Sequence, residues 1–261
     1  MSLLPFKHMD GTAEPNNPRS RVKQMPNELP PPLGPEVDAT PRALPARVQI
    51  RGQYVVLEPL HRRHAAELWL AAKAGNPAAD ASWAYLGHGP FASAPEMAAF
   101  VAEFASHHDP MAWAIRPIST GLASGWITLM DIQPRNAAIE LGNIWFSTAL
   151  QRTRAATEAM FLLLRLAADD LGYRRLLWKC HALNAPSRRA AERLGFAYEG
   201  TLRADRVIKG RQRDSAYYSI LEDEWPSRRD ALHEWLDPAN FDQGGTATRG
   251  LAEIRGDLNG I

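Results

Sequence analysis

The strongest periodic pattern in the sequence lies between residues 153 and 171, where apolar side chains recur at steps of three and four. The members of this series are Met160, Leu163, Leu164, Ala167 and Leu171. Such spacing places them on one face of an α-helix. Gly172 follows, at the position where a residue with a left-handed backbone ends a helix. We therefore predict a long amphipathic helix over residues 153–171.

Shorter apolar runs that end at turn residues predict the β-strands. These strands cover residues 54–58, 111–116, 121–131, 138–146, 175–180, 196–202 and 215–221. Further helices are predicted over residues 61–74, 95–107, 184–194 and 222–236. This order of elements predicts an α+β fold with a mixed, mostly antiparallel central sheet of about seven strands flanked by helices.

The long predicted helix connects strand 138–146 to strand 175–180. A crossover of this kind is right-handed and joins two parallel strands. Ligand sites in such units lie at the carboxyl end of the first strand. We therefore expect a ligand at the carboxyl end of strand 138–146.

Residues 1–47 differ in composition from the rest of the chain because of their prolines. They include Pro15, Pro18, Pro26, Pro30, Pro31, Pro32, Pro35, Pro41 and Pro45. Proline at this density blocks regular helix and strand, so we predict an extended or disordered arm. The arm is either a tail without chemistry or a docking arm for another subunit. The predicted domain covers residues 48–236, and the polar, glycine-containing segment 237–261 is predicted to be a mobile C-terminal tail.

The composition is that of an ordinary globular chain, with 45% hydrophobic and 23% charged residues. A net charge of +1 gives no reason to expect a nucleic acid or an anionic membrane as partner. No apolar run approaches the about 18 residues that a membrane helix needs. The single cysteine, Cys180, excludes an internal disulfide and fits a reducing cytoplasm. The histidines show no metal-ligand spacing, so no metal site is predicted, and a homodimer and a monomer both remain open.

The turn before the long helix has the chemistry of a phosphate site. The first backbone N–H groups of a helix lack partners, and the positive end of the helix dipole favours an anion. Ala155 and Ala156 are small enough to let a diphosphate approach the backbone. Arg152 and Arg154 add charged donors. The alternative is an ordinary capped helix with a solvated basic turn.

Several segments, taken in order, carry a family resemblance over residues 53–225. They are Ile139-Glu140-Leu141-Gly142, the loop 151–159, Asn184-Ala185-Pro186-Ser187, Leu194-Gly195-Phe196 and the segment 199–203. This ordered set resembles the GNAT N-acetyltransferase superfamily, in the branch of the ribosomal-protein N-terminal acetyltransferases. The resemblance implies a GNAT fold in which the parallel pair of strands splays apart.

The resemblance also implies that acetyl-CoA lies between the splayed strands as co-substrate. Backbone groups near Trp145 and Phe146 would bond its pantetheine arm, and Asn184 would either bond the pantetheine amide or cap its helix. The loop that would hold the diphosphate consists of Gln151, Arg152, Thr153, Arg154, Ala155 and Ala156. A primary amine, on a protein N-terminus or a small molecule, would attack the thioester directly.

One position departs from the family pattern, because Arg154 stands where a glycine is common in the diphosphate loop. If the loop requires a positive φ at this position, the substitution would impair CoA binding. If it does not, the guanidinium of Arg154 can reach a phosphate. We favour the second interpretation, because the neighbouring alanines keep the loop small.

Two residues are candidates for the proton transfers of the reaction. Glu140 is a carboxylate on an apolar strand, and burial would raise its pKa toward the range of a useful base. It is alternatively a structural residue bonded to a neighbour. Ser187 is a candidate proton donor to the leaving thiolate, or a residue that bonds the start of its helix. Asp205 is a second candidate base, and Cys180 is interpreted as a small buried hydrophobe rather than a nucleophile.

The acceptor pocket is the least defined part of the prediction. Trp83 and Tyr85 are predicted to line it. Two other functions remain open. One is a non-catalytic acyl-CoA-binding or regulatory protein. The other is transfer from a larger donor such as succinyl-CoA, whose second carboxylate would be held by the arginines near the donor loop.

Overall fold

The computed structural model describes residues 33–73 and 79–258. The chain divides into two compact units, residues 1–38 and 39–261, and the second unit contains the sheet and all the helices described below. Residues 1–32 of the predicted arm lie outside the described residues. Residues 39–47 belong to the second unit: the Arg42 backbone N–H donates to Pro134 O at 3.0 Å, and the Tyr173 hydroxyl donates to Ala43 O at 3.1 Å. The domain therefore begins before Val48.

An eight-stranded mixed sheet forms the centre of this unit. Its strands are β1 (Ile50–Arg51), β2 (Val55–Pro59), β3 (Met111–Pro117), β4 (Gly125–Gln133), β5 (Ala138–Phe146), β6 (Arg175–His181), β7 (Ala197–Ile208) and β8 (Arg211–Leu221). The spatial order is β1-β2-β3-β4-β5-β6-β8-β7, and only β5 and β6 run parallel. The predicted fold class is confirmed. The strand missing from the prediction is β1, whose two residues are too short to form a pattern.

Six α-helices flank the sheet in the described part of the chain. They are α1 (Ala65–Lys73), α2 (Ala94–Phe104), α3 (Arg154–Arg165), α4 (Ala185–Leu194), α5 (Trp225–Leu236) and α6 (Leu251–Leu258). Helix α3 continues into a π-helical turn, Leu166–Asp170, so the long helix predicted from periodicity is present with a wider last turn. The predicted end of α1, at residues 74–77, lies outside the described residues.

The two faces of the sheet carry separate hydrophobic cores. One core joins α3, α4, α5 and α6 to side chains such as Leu129, Leu141 and Tyr218. The other joins α1 and α2 to side chains such as Trp126 and Trp145. Alternation along each strand therefore sets which face a residue serves. Each fully buried Leu, Ile or Met side chain stabilises the fold by about 1.5–3 kcal/mol.

The C-terminal segment differs from the predicted mobile tail, because residues 237–258 are folded onto the domain. Leu251 and Ile254 of α6 are buried. The Asn240 side chain donates to Trp235 O at 3.1 Å and accepts from the Arg249 backbone N–H at 2.9 Å. The helix has only two turns and includes a glycine, so its sequence pattern is too weak to predict it.

Strands β7 and β8 also extend beyond the prediction, which ended one at Leu202 and began the next at Ser215. They form a hairpin whose turn is Lys209-Gly210, with φ of 49° and 73°. Two successive positive φ angles fit a tight two-residue hairpin turn. The extension was missed because residues 203–214 are mostly polar and show no alternation of apolar and polar positions.

Candidate active site

The parallel strands β5 and β6 pair along only part of their length. Their register joins Ala138 to Arg175, Ile139 to Leu176 and Glu140 to Leu177, and no later pair is formed. Both strands nevertheless continue, β5 to residue 146 and β6 to residue 181. The strands therefore diverge after Glu140 and open a fork in the sheet.

A β-bulge in β5 lies beside this fork. Thr128 pairs with Gly142 and Trp126 pairs with Trp145, so β5 has one residue more than β4 between the two pairs. Asn143 accommodates the extra residue with a φ of 46°. Bulges bend a strand and re-aim its side chains, and this bulge lies in the part of β5 that no longer pairs with β6.

A cavity of about 280 Å³ occupies the fork. Its walls come from β5, β6, the start of α4, the β7–β8 hairpin and the segment 82–88, which we call the roof. The polar and titratable lining residues are Ser82, Tyr85, His88, Glu140, Asn143, Lys179, Cys180, His181, Asn184, Ser187, Arg206 and Arg213. Three of the predicted site residues, Glu140, Asn184 and Ser187, are thus brought together.

Glu140 is a buried carboxylate in the cavity wall, with 5% of its surface exposed. Burial raises the pKa of Glu140, and the ammonium of Lys179, whose Nζ lies 3.0 Å from Oε2, acts in the opposite direction. Lys179 also donates to Asp131 Oδ2 at 2.5 Å, and this bond is the largest influence holding the pKa of Asp131 below its ordinary value. Burial alone would lower the pKa of Lys179, but the two carboxylates, Glu140 and Asp131, outweigh it, so that the pKa is raised. Glu140 is therefore both bonded to a neighbour and open to the cavity.

Ser187 and Asn184 sit at the start of α4. The Asn184 Oδ1 accepts the Ser187 backbone N–H at 3.2 Å, so Asn184 caps the helix. The Ser187 hydroxyl accepts the Trp178 Nε1–H at 3.1 Å. Burial raises the pKa of Cys180, although the hydroxyl of Ser187 acts in the opposite direction, and this keeps the thiol protonated and poorly nucleophilic.

The loop before α3 has the open backbone groups that the sequence predicted. Thr153 is the N-cap, and its Oγ1 accepts the Ala156 N–H at 3.1 Å. The first helical bond is made by the Thr157 N–H to Thr153 O, so the N–H groups of Arg154 and Ala155 precede it. The side chains of Ala155 and Ala156 are buried and small. Such a helix start is suited to a phosphate.

Two other residues that were predicted to bind acetyl-CoA, Gln151 and Trp145, have side-chain hydrogen bonds within the protein. The Gln151 side chain donates to Phe146 O at 3.1 Å, so this carbonyl already has one partner. The indole of Trp145 lies in the core, 4.4 Å from the Trp83 ring, and its Nε1–H donates to Ser82 Oγ at 3.1 Å. The Trp145 side chain is therefore engaged within the protein, and contact of its backbone with the pantetheine arm stays a prediction.

The backbone at Arg154 does not need the glycine that is common at this position of the family's loop. It is the first residue of α3, and the positive φ of the loop, 62°, falls instead on Arg152. The Arg154 guanidinium lies 4.0 Å from the centre of the Phe241 ring and 4.8 Å from that of Tyr54. The expectation that Arg154 reaches a phosphate is therefore not met in this conformation, because cation–π contacts hold the side chain. Exposed Arg152 is the cation that stays available at the loop.

The roof places one of the two predicted acceptor-pocket residues in the cavity. Tyr85 lines it and donates its hydroxyl hydrogen to Leu183 O at 3.1 Å. Trp83 does not line it, because its ring is buried against Trp145 in the core. The Lys209 ammonium, at the tip of the hairpin, donates to Trp83 O at 3.0 Å. The roof is thus bonded to both flanks of the cavity.

Several residues of the cavity wall were not predicted. Asp205, the second candidate base, lies outside the cavity lining, and its neighbour Arg206 lines the cavity instead. Arg213 and Lys179 line it as well. Lys179 had a signal in the sequence, since it is a charged residue within the apolar run 176–180, as Glu140 is within the apolar run of β5. Arg213 had none, because it lies in a run of polar residues.

Comparison with known proteins agrees with this geometry. Residues 55–197 match the acetyltransferase (GNAT) domain family. A GCN5-related N-acetyltransferase from Brucella melitensis is 41% identical in sequence, and the match covers 84% of this chain and 98% of that one with a TM-score of 0.81. A probable acetyltransferase of the GNAT family from Chromobacterium violaceum is 37% identical, over 76% of this chain and all of that one, with a TM-score of 0.67.

A curated relative is the "Putative ribosomal N-acetyltransferase YdaF" of Bacillus subtilis, which is 29% identical over 109 residues. That match covers 42% of this chain and 59% of the relative, so it spans less than two thirds of the relative's length. It supports the resemblance to the ribosomal-protein branch. The family match, the splayed strands and the helix start at Arg154 agree, and the chain belongs to the GNAT acetyltransferase family, whose members use acetyl-CoA as acyl donor.

Proposed function

We propose that this protein transfers the acetyl group of acetyl-CoA to a primary amine by direct attack, with Glu140 as general base and Ser187 as proton donor. The observation that carries the proposal is the position of Glu140. It is the last residue of β5 to pair with β6, and its carboxylate opens into the cavity that also contains Ser187. A buried carboxylate with a raised pKa at the point of divergence has the chemistry of a base.

The residues around the fork fit acetyl-CoA as co-substrate. The N–H groups of Arg154 and Ala155 would hold the diphosphate, and the exposed Arg152 would add charge. The edge of β5 that faces away from β4 has no strand partner after Glu140, so its backbone is free to bond the pantetheine arm. Asn184 lines the same cavity and keeps its side-chain N–H groups for that arm while its oxygen caps α4.

The proton balance of the reaction assigns one transfer to each residue. Glu140 accepts the proton that the amine loses as its nitrogen forms a bond to the acetyl carbon. As the bond from that carbon to sulfur breaks, the Ser187 hydroxyl gives its proton to the thiolate and regains one from solvent. General acid and base groups of this kind contribute about 10²–10⁴-fold each.

The alternative of a non-catalytic acyl-CoA-binding protein would follow if Arg154 impaired the donor loop and if Asp205 did not serve as a base. The helical backbone at Arg154 speaks against the first point. The buried Glu140 offers a base that does not depend on the second. The single free thiol, Cys180, fits action in the cytoplasm, as the sequence indicates.

The test is to incubate the full chain with acetyl-CoA and a panel of N-terminal peptides, polyamines and aminoglycosides while following free thiol. We expect acceptor-dependent thiol release and an acetylated amine product. Calorimetry with acetyl-CoA alone separates donor binding from transfer. Donor binding without transfer to any member of a broad amine panel would favour the non-catalytic alternative, and absence of both would reject the donor assignment.

A further inference from the structure

We propose, on the basis of the function proposed above, that the acceptor amine carries a carboxylate or phosphate group, which Arg213 binds with support from Arg206. Both arginines line the cavity beside Glu140. They come from neighbouring positions of the β7–β8 hairpin, where Arg206 pairs with Arg213. The family match does not identify the acceptor.

Arg213 is a partly buried cation without a counterion. Its Nε–H donates to Ser215 Oγ at 3.0 Å, and no carboxylate among the described residues lies within salt-bridge distance of its guanidinium. Burial and the nearby charge of Arg206 lower the pKa of Arg213. A buried charge without a partner costs folding free energy, and an anionic ligand would offset that cost. The free edge of the guanidinium is suited to a bidentate carboxylate or phosphate.

Arg206 also favours the binding of an anion at this position. It stands directly across the hairpin from Arg213, and two like charges at such positions repel each other. Its nearest carboxylate is that of Asp205, with the Nε 3.7 Å from Oδ2. One anion bound between the two guanidinium groups would relieve this repulsion. The third cation of the wall, Lys179, is already shared by Glu140 and Asp131 and is not available.

Strand alternation assigns this anion to the acceptor rather than to the donor. Ala216 and Tyr218 of β8 face the core that contains α3. Arg213 and Tyr217 have the opposite parity, and the Tyr217 ring lies 5.3 Å from Lys179 Nζ, beside Glu140. Arg213 is therefore on the face that carries the base and the roof, whereas the phosphate-binding start of α3 is on the other. The amine must reach that base, so an anion on the same molecule meets Arg213.

The test compares acceptors in matched pairs that differ only in one negative charge. One arm uses free amino acids against their α-amides, and the other uses peptides beginning Ser-Asp against peptides beginning Ser-Asn. The two arms distinguish a small-molecule acceptor from a protein N-terminus. We expect kcat/KM to favour the anionic member at least tenfold in one arm. Arg213→Met should reduce that preference to within about twofold, chiefly through KM, whereas Arg211→Met, which removes an exposed charge from the same strand outside the cavity, should keep it.

The outcomes separate this inference from the proposed function. Transfer to amines with no preference for the anionic member, or equal loss of preference in the Arg211→Met control, overturns the inference and leaves the function. If acetyl-CoA binds but nothing is acetylated, the function fails, and calorimetry of the same pairs with the CoA-bound protein decides the inference. If the anionic member of a pair binds more tightly and Arg213→Met weakens that binding at least tenfold, the inference is supported. If both members bind equally, the inference is overturned. Use of succinyl-CoA that depends on Arg213 would assign the anion to the donor and also overturn it.

Discussion

The Glu140 carboxylate and the Lys179 ammonium lie 3.0 Å apart, and the same ammonium contacts Asp131 at 2.5 Å. One cation thus serves two carboxylates whose surroundings differ. Glu140 is buried and its pKa is raised, whereas Asp131 is partly exposed and its pKa is lowered. Environments that separate the pKa values of neighbouring acids indicate which of them exchanges protons near neutral pH. On this ground we propose Glu140, rather than Asp131, as the base.

The first prediction concerns the pH profile. Lys179 lowers the pKa of Glu140, so Lys179→Met should raise it and move the acidic limb of kcat/KM to higher pH. The charge of Asp131 raises the pKa of Glu140. Asp131→Asn should therefore move the same limb to lower pH. The measurement is kcat/KM for acetyl transfer from pH 5 to pH 9 in both variants, and shifts of the same sign in both would be inconsistent with Glu140 as the base.

The second prediction concerns the proton donor. Ser187→Ala should lower kcat about 10²-fold with little change in the KM for acetyl-CoA, because the thiolate then leaves without a positioned acid. Cys180→Ala is the matched control, since it removes the neighbouring buried thiol. It should keep kcat within about threefold. If Cys180→Ala instead abolished transfer, the direct attack proposed here would give way to a covalent route.

The third prediction separates the two arginines of the donor loop. Arg152 is exposed, whereas Arg154 stacks on Phe241 and Tyr54. Arg152→Met should raise the KM for acetyl-CoA several-fold, and Arg154→Met should lower stability by about 1 kcal/mol with a smaller effect on KM. Steady-state kinetics and urea unfolding of both variants check this. The reverse assignment of the two effects would show that Arg154 leaves the rings to contact the donor.

The fourth prediction concerns folding stability in acid. Burial and Lys209 lower the pKa of His88 from 6.5 to about 4. Between these values the unfolded chain binds a proton that the folded protein does not, so stability is full above pH 6.5 and falls as the pH drops to 4. The free energy of unfolding therefore falls by at most about 3 kcal/mol over this range of pH. His88→Phe should flatten this dependence in urea unfolding, while His108→Gln, at an exposed histidine, should leave it unchanged.

The elements that carry the proposed donor site could be predicted because their signals are local. Periodicity fixed α3, and the turn chemistry before Arg154 indicated its start. The contact between Glu140 and Lys179 depends on the register of β5 against β6, which joins segments far apart in the chain. The outer part of the hairpin, residues 203–214, which contributes Arg213, is mostly polar and shows no alternation. Trp83 was placed in the pocket by prediction and in the core by the structure, because the sequence does not show which aromatic residue stacks on Trp145.

The most direct test of the central claim is the rate of acetyl transfer by Glu140→Gln, measured together with its affinity for acetyl-CoA. Glu222→Gln, at an exposed glutamate on the surface, is the matched control. The account predicts that Glu140→Gln lowers kcat by about 10²–10⁴-fold, binds acetyl-CoA as the unaltered protein does, and leaves the control active. Transfer by Glu140→Gln at the rate of the unaltered protein would contradict it.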